Sequence, residues 1–139
     1  MVQVSCRDCR RHFAVPVLSS IHHAVSTWAD VRDAVRAYYM LATINPIPGE
    51  FYNIGGTDTR TIGEMLDFLI SVSYRSDEIR IETDSERIRP LDADAQIPDT
   101  AKFRNHTGWE PVISFEETMT DLLNYWREQV KKKGTFLAR

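Results

Sequence analysis

Two short segments constrain this chain more than any other feature: Thr61-Ile62-Gly63-Glu64 and Ser114-Phe115-Glu116-Glu117. Each reads as a capping box. The cap hydroxyl accepts a backbone N–H three residues on, and the carboxylate at that position returns to the N–H of the cap. Each box therefore sets where a helix begins. Behind the first, Ile62, Met65, Leu66, Leu69 and Val72 recur at the spacing of one helical side. Behind the second, Phe115, Met119, Leu122, Leu123, Trp126 and Val130 do the same. Lys131, Lys132 and Lys133 fall in the last turn of that helix, where cations complement its dipole.

Two more helices follow from weaker signals. Asp30 is placed to cap a helix running to about Ile44, whose buried side is expected to be Val31, Ala34, Val35, Tyr38, Leu41 and Ala42. Asn45-Pro46-Ile47-Pro48-Gly49 stops it, because proline lacks a donor and its predecessor avoids the helical region. Asp99 is expected to cap a short helix over Thr100 to His106, closed by Gly108. Phe51-Tyr52-Asn53-Ile54 and Ile79-Arg80-Ile81-Glu82 read as strands. With a helix between them, they imply a right-handed crossover joining two parallel strands. The expected class is α/β, with helices packed on a small parallel sheet built around a βαβ unit. Residues 84–98 read as an extended loop bounded by Pro90 and Pro98. The chain divides into an aperiodic segment at 1–26, a domain at 27–133 and a tail at 134–139.

Composition narrows the function classes. With 17 basic against 20 acidic residues and a net charge of −3, the chain is not expected to bind nucleic acid. The longest apolar runs, Phe13–Leu18 and Ala37–Ala42, are far shorter than the roughly 20 residues of a bilayer span, so no membrane association is expected. No basic-then-apolar leader opens the chain, and the only cysteines are Cys6 and Cys9, so a reducing, cytoplasmic setting is expected. A length of 139 residues also leaves no room for a nucleotide-cofactor domain beside a substrate domain.

Three constellations could carry chemistry. Cys6 and Cys9 with His12 could fill three corners of a zinc tetrahedron, with His22 or His23 as a fourth ligand. No second knuckle supports that, so an incidental N-terminal segment is the favoured reading and no metal ligand is assigned. Gly55-Gly56 lacks the G-x-G-x-x-G spacing of a dinucleotide turn and reads as a strand end. Glu86-Arg87-Ile88-Arg89-Pro90-Leu91-Asp92 places two guanidinium groups and a carboxylate in one loop. Guanidinium forks suit phosphate oxygens, and a carboxylate can accept from ribose hydroxyls. Taken alone, the cluster reads as a solvated ion-pair network.

A run of motifs changes that weighting. Thr27-Trp28-Ala29-Asp30-Val31-Arg32-Asp33-Ala34-Val35-Arg36-Ala37-Tyr38 is followed by Gly49-Glu50-Phe51-Tyr52-Asn53-Ile54-Gly55-Gly56. Arg87-Ile88-Arg89-Pro90-Leu91-Asp92-Ala93-Asp94, Pro98-Asp99-Thr100-Ala101-Lys102-Phe103 and Thr107-Gly108-Trp109-Glu110-Pro111 come next. In order and spacing the series resembles the carboxy-terminal portion of GDP-mannose 4,6-dehydratases and related GDP-4-keto-6-deoxymannose reductases, which are extended short-chain dehydrogenases acting on nucleotide sugars. The likeness covers about residues 27–130. It implies that Arg89 contacts a sugar-nucleotide diphosphate and Asp92 the nucleoside ribose, with Arg87 a weaker addition. The implied ligand is a GDP-sugar or another nucleotide sugar.

The resemblance also implies what is missing. Intact family enzymes use NADP or NAD to oxidise C4 of the hexose, eliminate water across C5–C6 and return the hydride. They carry a Gly-rich cofactor turn and a Tyr-x-x-x-Lys pair. None of Tyr38, Tyr39, Tyr52, Tyr74 and Tyr125 has a lysine four residues on. No catalytic or cofactor-binding residue is therefore assigned, and the chain alone is expected to be inactive. Where the family often has an arginine before the Trp-Ala-Asp segment, Val25 and Ser26 stand here. The alternative is a non-catalytic relic module with a binding or oligomerisation role. An orphaned face would be covered by a homodimer or by the Phe13–Leu18 run.

Overall fold

The computed structural model describes residues 13–17, 24–83 and 95–133. Among the described residues five strands and four α-helices, with a 3-10 turn at Ser76–Glu78 ahead of β4, run in the order β1 (Phe13–Val17), β2 (Val25–Trp28), α1 (Val31–Thr43), β3 (Asp58–Thr61), α2 (Ile62–Ser71), β4 (Ile79–Thr83), β5 (Ala95–Gln96), α3 (Ala101–Thr107) and α4 (Phe115–Lys133). β1 pairs with β4 in parallel, Phe13 opposite Ile79 and Val17 opposite Thr83. The second sheet has the order β3-β2-β5, with β2 antiparallel to β3 and parallel to β5. The class is α/β, on a small mixed sheet.

Local signals set the helix ends. Thr61 Oγ1 accepts the Glu64 N–H at 3.0 Å, and the Glu64 carboxylate takes the Thr61 N–H at 2.7 Å, completing the first capping box. Ser114 Oγ accepts the Glu117 N–H at 3.1 Å at the start of α4. Asp30 caps α1 through the Arg32 N–H at 2.8 Å. The N-cap of α3 is Thr100 rather than Asp99, although Asp99 Oδ1 still accepts from the Ala101 N–H, and Gly108 ends α3 at φ +69°, in the left-handed region where a side chain would be strained.

Three expectations are corrected. Residues 51–54 form no strand, and the strand that precedes α2 is β3, which pairs antiparallel to β2. The crossover from residues 51–54 is therefore not made. The parallel pairs are β1·β4 and β2·β5, with β1 drawn from the apolar run that looked aperiodic. Second, α1 turns inward a different side from the one expected, although Leu41 of the expected set does pack against the core. Asp33 and Ala37 are its buried residues, whereas Val31, Val35 and Tyr38 are 72%, 61% and 65% exposed. Third, α4 buries only Phe115 and Met119 of its apolar side fully, and Leu122, Trp126 and Val130 remain exposed.

The core is small and aromatic. Ala37, Phe103 and Trp109 are fully buried, with Met40, Leu41, Tyr52 and Ile54 packed against them. Phe103 meets Tyr52 edge-on and Trp109 at a tilt, the arrangements that ring quadrupoles favour. A second cluster joins the β3-β2-β5 sheet to α2 and α4, where Phe115 contacts both Trp28 and Phe68. His106 ties α3 to the end of α1. Its Nε2 lies 3.2 Å from the Ile44 carbonyl and 3.1 Å from that of Asn45, and Nδ1 lies 3.3 Å from the Tyr52 hydroxyl.

Candidate functional site

Arg87, Arg89 and Asp92 lie outside the described residues, as do Cys6, Cys9, His12, His22 and His23. The structure describes the chain on either side of the arginine segment. Residue 84 follows Thr83, the last residue of β4, and residue 94 precedes Ala95, which stands opposite Val25 on β2. Thr83 is the carboxyl end of a parallel strand, the kind of sheet end outside which ligands collect. The next described residues, Ala95 and Gln96, stand opposite Val25 and Ser26, the positions where the family often carries its second arginine.

The charged groups around that junction serve the scaffold. Arg60 stands across β2 from Ser26 and would be the nearest substitute for the missing arginine. Its Nε and Nη2 each donate to the Asp58 carboxylate at 3.0 Å, and Nη2 also donates to Glu116 at 2.6 Å. Its guanidinium lies 4.3 Å from the centre of the Phe115 ring. The Asp58 hydrogen bond, with smaller help from Glu116, raises its pKa further. The group is committed within the chain.

Two buried carboxylates mark the start of α1. Asp30 accepts the Arg32 fork at 2.8 and 2.9 Å and the Thr118 hydroxyl at 3.0 Å, joining α1 to α4. The Arg32 bond holds its carboxyl well below the usual carboxylate range against the cost of burial. Asp33 is 1% exposed. Its Oδ2 accepts the N–H groups of Val112 and Ile113, both at 2.9 Å, and its Oδ1 accepts Arg36 Nη2 at 2.8 Å. Burial pushes this carboxyl up, and the Ile113, Arg36 and Val112 donors more than offset it, leaving the pKa lowered. The Asp33 carbonyl also accepts Trp109 Nε1 at 3.1 Å. Asp30 and Trp109, two positions carried in the family motifs, thus act as clamps between α1 and the 107–118 segment. Sequence reading missed Asp33 in that role. The signal available was a carboxylate in the first turn with an arginine three residues on.

Gly55-Gly56 is neither a strand end nor a phosphate cradle. A Cβ on Gly56 would sit 1.5 Å from the Trp28 carbonyl oxygen, and one on Gly55 would sit 2.7 Å from Pro98 Cγ. The glycines let this segment lie directly against β2, and that space is filled by protein. This glycine pair therefore leaves no room for a dinucleotide pyrophosphate. Among them no cluster of His, Cys, Asp and Glu could hold a metal ion. No described helix is long and apolar enough to cross a membrane.

Comparison with known proteins places this architecture. The profile of the family described as GDP-mannose 4,6 dehydratase matches residues 16–122. A GDP-6-deoxy-D-mannose reductase of Pseudomonas aeruginosa is 25% identical over 104 residues, which are 75% of this chain and 33% of the relative. A dTDP-glucose 4,6-dehydratase of Escherichia coli is 31% identical over 114 residues, covering 73% of this chain and 30% of the relative. The fold matches RMD from Pseudomonas aeruginosa, solved with NADPH, at a TM-score of 0.72 and 22% identity, over 84% of this chain and 36% of that one. It also matches the UDP-glucose 4-epimerase of Thermotoga maritima with UDP-glucose, at a TM-score of 0.68 and 23% identity, over 83% and 35%. The chain spans about a third of the length of the curated relatives it matches.

Proposed function

The chain belongs to the GDP-mannose 4,6-dehydratase family, and from that membership we propose that it forms the substrate-side portion of a nucleotide-sugar enzyme. In this reading Arg89 donates its guanidinium fork to the diphosphate, and Asp92 accepts hydrogen bonds from the ribose hydroxyls. Arg87 adds a second positive charge. The remaining family length supplies the cofactor, NADP or NAD, together with the acid–base tyrosine and its lysine. The reaction of the assembled enzyme is dehydration at C5–C6 of a GDP-hexose, or reduction of its 4-keto product. The observation that carries the reading is the family match across residues 16–122, which takes in the Arg-Ile-Arg-Pro-Leu-Asp motif.

Titration of the folded chain with GDP-mannose and with GDP, followed by calorimetry or ligand-observed NMR, tests it. Saturable binding is expected. Replacing Arg89 or Asp92 by alanine is expected to weaken it about tenfold or more, the value of one charge-assisted hydrogen bond. Absence of saturation up to roughly 1 mM ligand, about −4 kcal/mol of binding free energy, overturns the reading. UDP-glucose and dTDP-glucose in parallel titrations report which base is preferred.

A second reading, a non-catalytic binding module, is favoured by one observation. Val31, Val35, Tyr38 and Tyr39 leave an apolar stripe exposed on α1, opposite its buried side. Such a stripe needs a cover, whether the cofactor portion of the family or a new partner. Complementation by a cofactor portion that restores turnover would favour the first reading over this one.

A further inference from the structure

We draw no further inference here: the strongest candidate, the surface patch that Val31, Val35, Tyr38 and Tyr39 leave exposed along α1, is an unpartnered apolar face, and nothing in the structure shows what covers it.

Discussion

Replacing Asp33 by alanine removes the acceptor for two backbone N–H groups at once. Val112 and Ile113 donate to one carboxylate oxygen at 2.9 Å, and Arg36 donates to the other at 2.8 Å. A hydrogen bond to a charged acceptor contributes about 1.5–3 kcal/mol. The two backbone donors together are therefore worth about 3–5 kcal/mol at the lower part of that range. Arg36 adds little, because it is more than a third exposed and water screens the pair. Removing a buried carboxylate also relieves its desolvation cost, so the net loss for Asp33→Ala is set at about 2–4 kcal/mol. A domain holds about 5–15 kcal/mol in all, so much of its stability would go. Asp33→Asn separates the contributions. Its amide oxygen can keep both backbone donors while its NH₂ group faces Arg36, and the expected cost is about 1–2 kcal/mol. Urea titration followed by circular dichroism gives the order. An alanine cost under about 1 kcal/mol, or an asparagine cost equal to that of alanine, would refute the clamp.

Further outcomes follow from the same geometry. The Asp30 and Asp33 carboxyls are both lowered in the folded chain; their contribution is present above the unfolded value near 3.9 and lost as pH falls through the lowered folded values, so acid melts should show a loss confined to below about pH 4, reduced by Asp33→Asn to the part that Asp30 contributes. Gly56→Ala puts a Cβ 1.5 Å from the Trp28 carbonyl, and thermal melts should show a loss of about 3 kcal/mol or failure to fold. Trp28 Nε1 is buried without an acceptor, whereas Trp109 Nε1 donates to the Asp33 carbonyl at 3.1 Å. Trp28→Phe should therefore change stability by less than about 1 kcal/mol and Trp109→Phe cost about 1–2 kcal/mol, the difference being one buried hydrogen bond; equal costs would contradict that assignment. Thr61→Ala removes half of the α2 capping box and should cost about 1 kcal/mol by the same assay.

The site shows the same division between local and distant causes. The arginine loop, which taken alone reads as a solvated ion-pair network, stood out only because the surrounding motifs occur in family order. What lies next to that loop was not legible. Arg60 looked like any strand arginine, yet pairing puts it across from Ser26 and packing binds it to Asp58, Glu116 and the Phe115 ring. The glycine pair reads as a strand end because dipeptide rules see only neighbours in sequence. The reason for Gly56 is the Trp28 backbone, 28 residues earlier and in direct contact, and for Gly55 it is the Pro98 ring.

By itself the sequence determined the helix starts at Thr61, Ser114 and Asp30, the left-handed stop at Gly108 and the family to which the chain belongs. Those depend on groups within a few residues of one another, whose hydrogen bonds form in the same way whatever surrounds them. Tertiary structure alone decided which side of α1 faces inward, whereas α4 buries Phe115 and Met119 of the stripe that its spacing marks. The spacing of Val31, Val35 and Tyr38 was a sound helical stripe, but Trp109, Val112 and Ile113 approach α1 from the side of Asp33 and Ala37. Two backbone N–H groups left there without an acceptor would cost more than burying the valines could return. The carboxylate went inside and the apolar stripe stayed in water, where it marks a surface that still needs a partner.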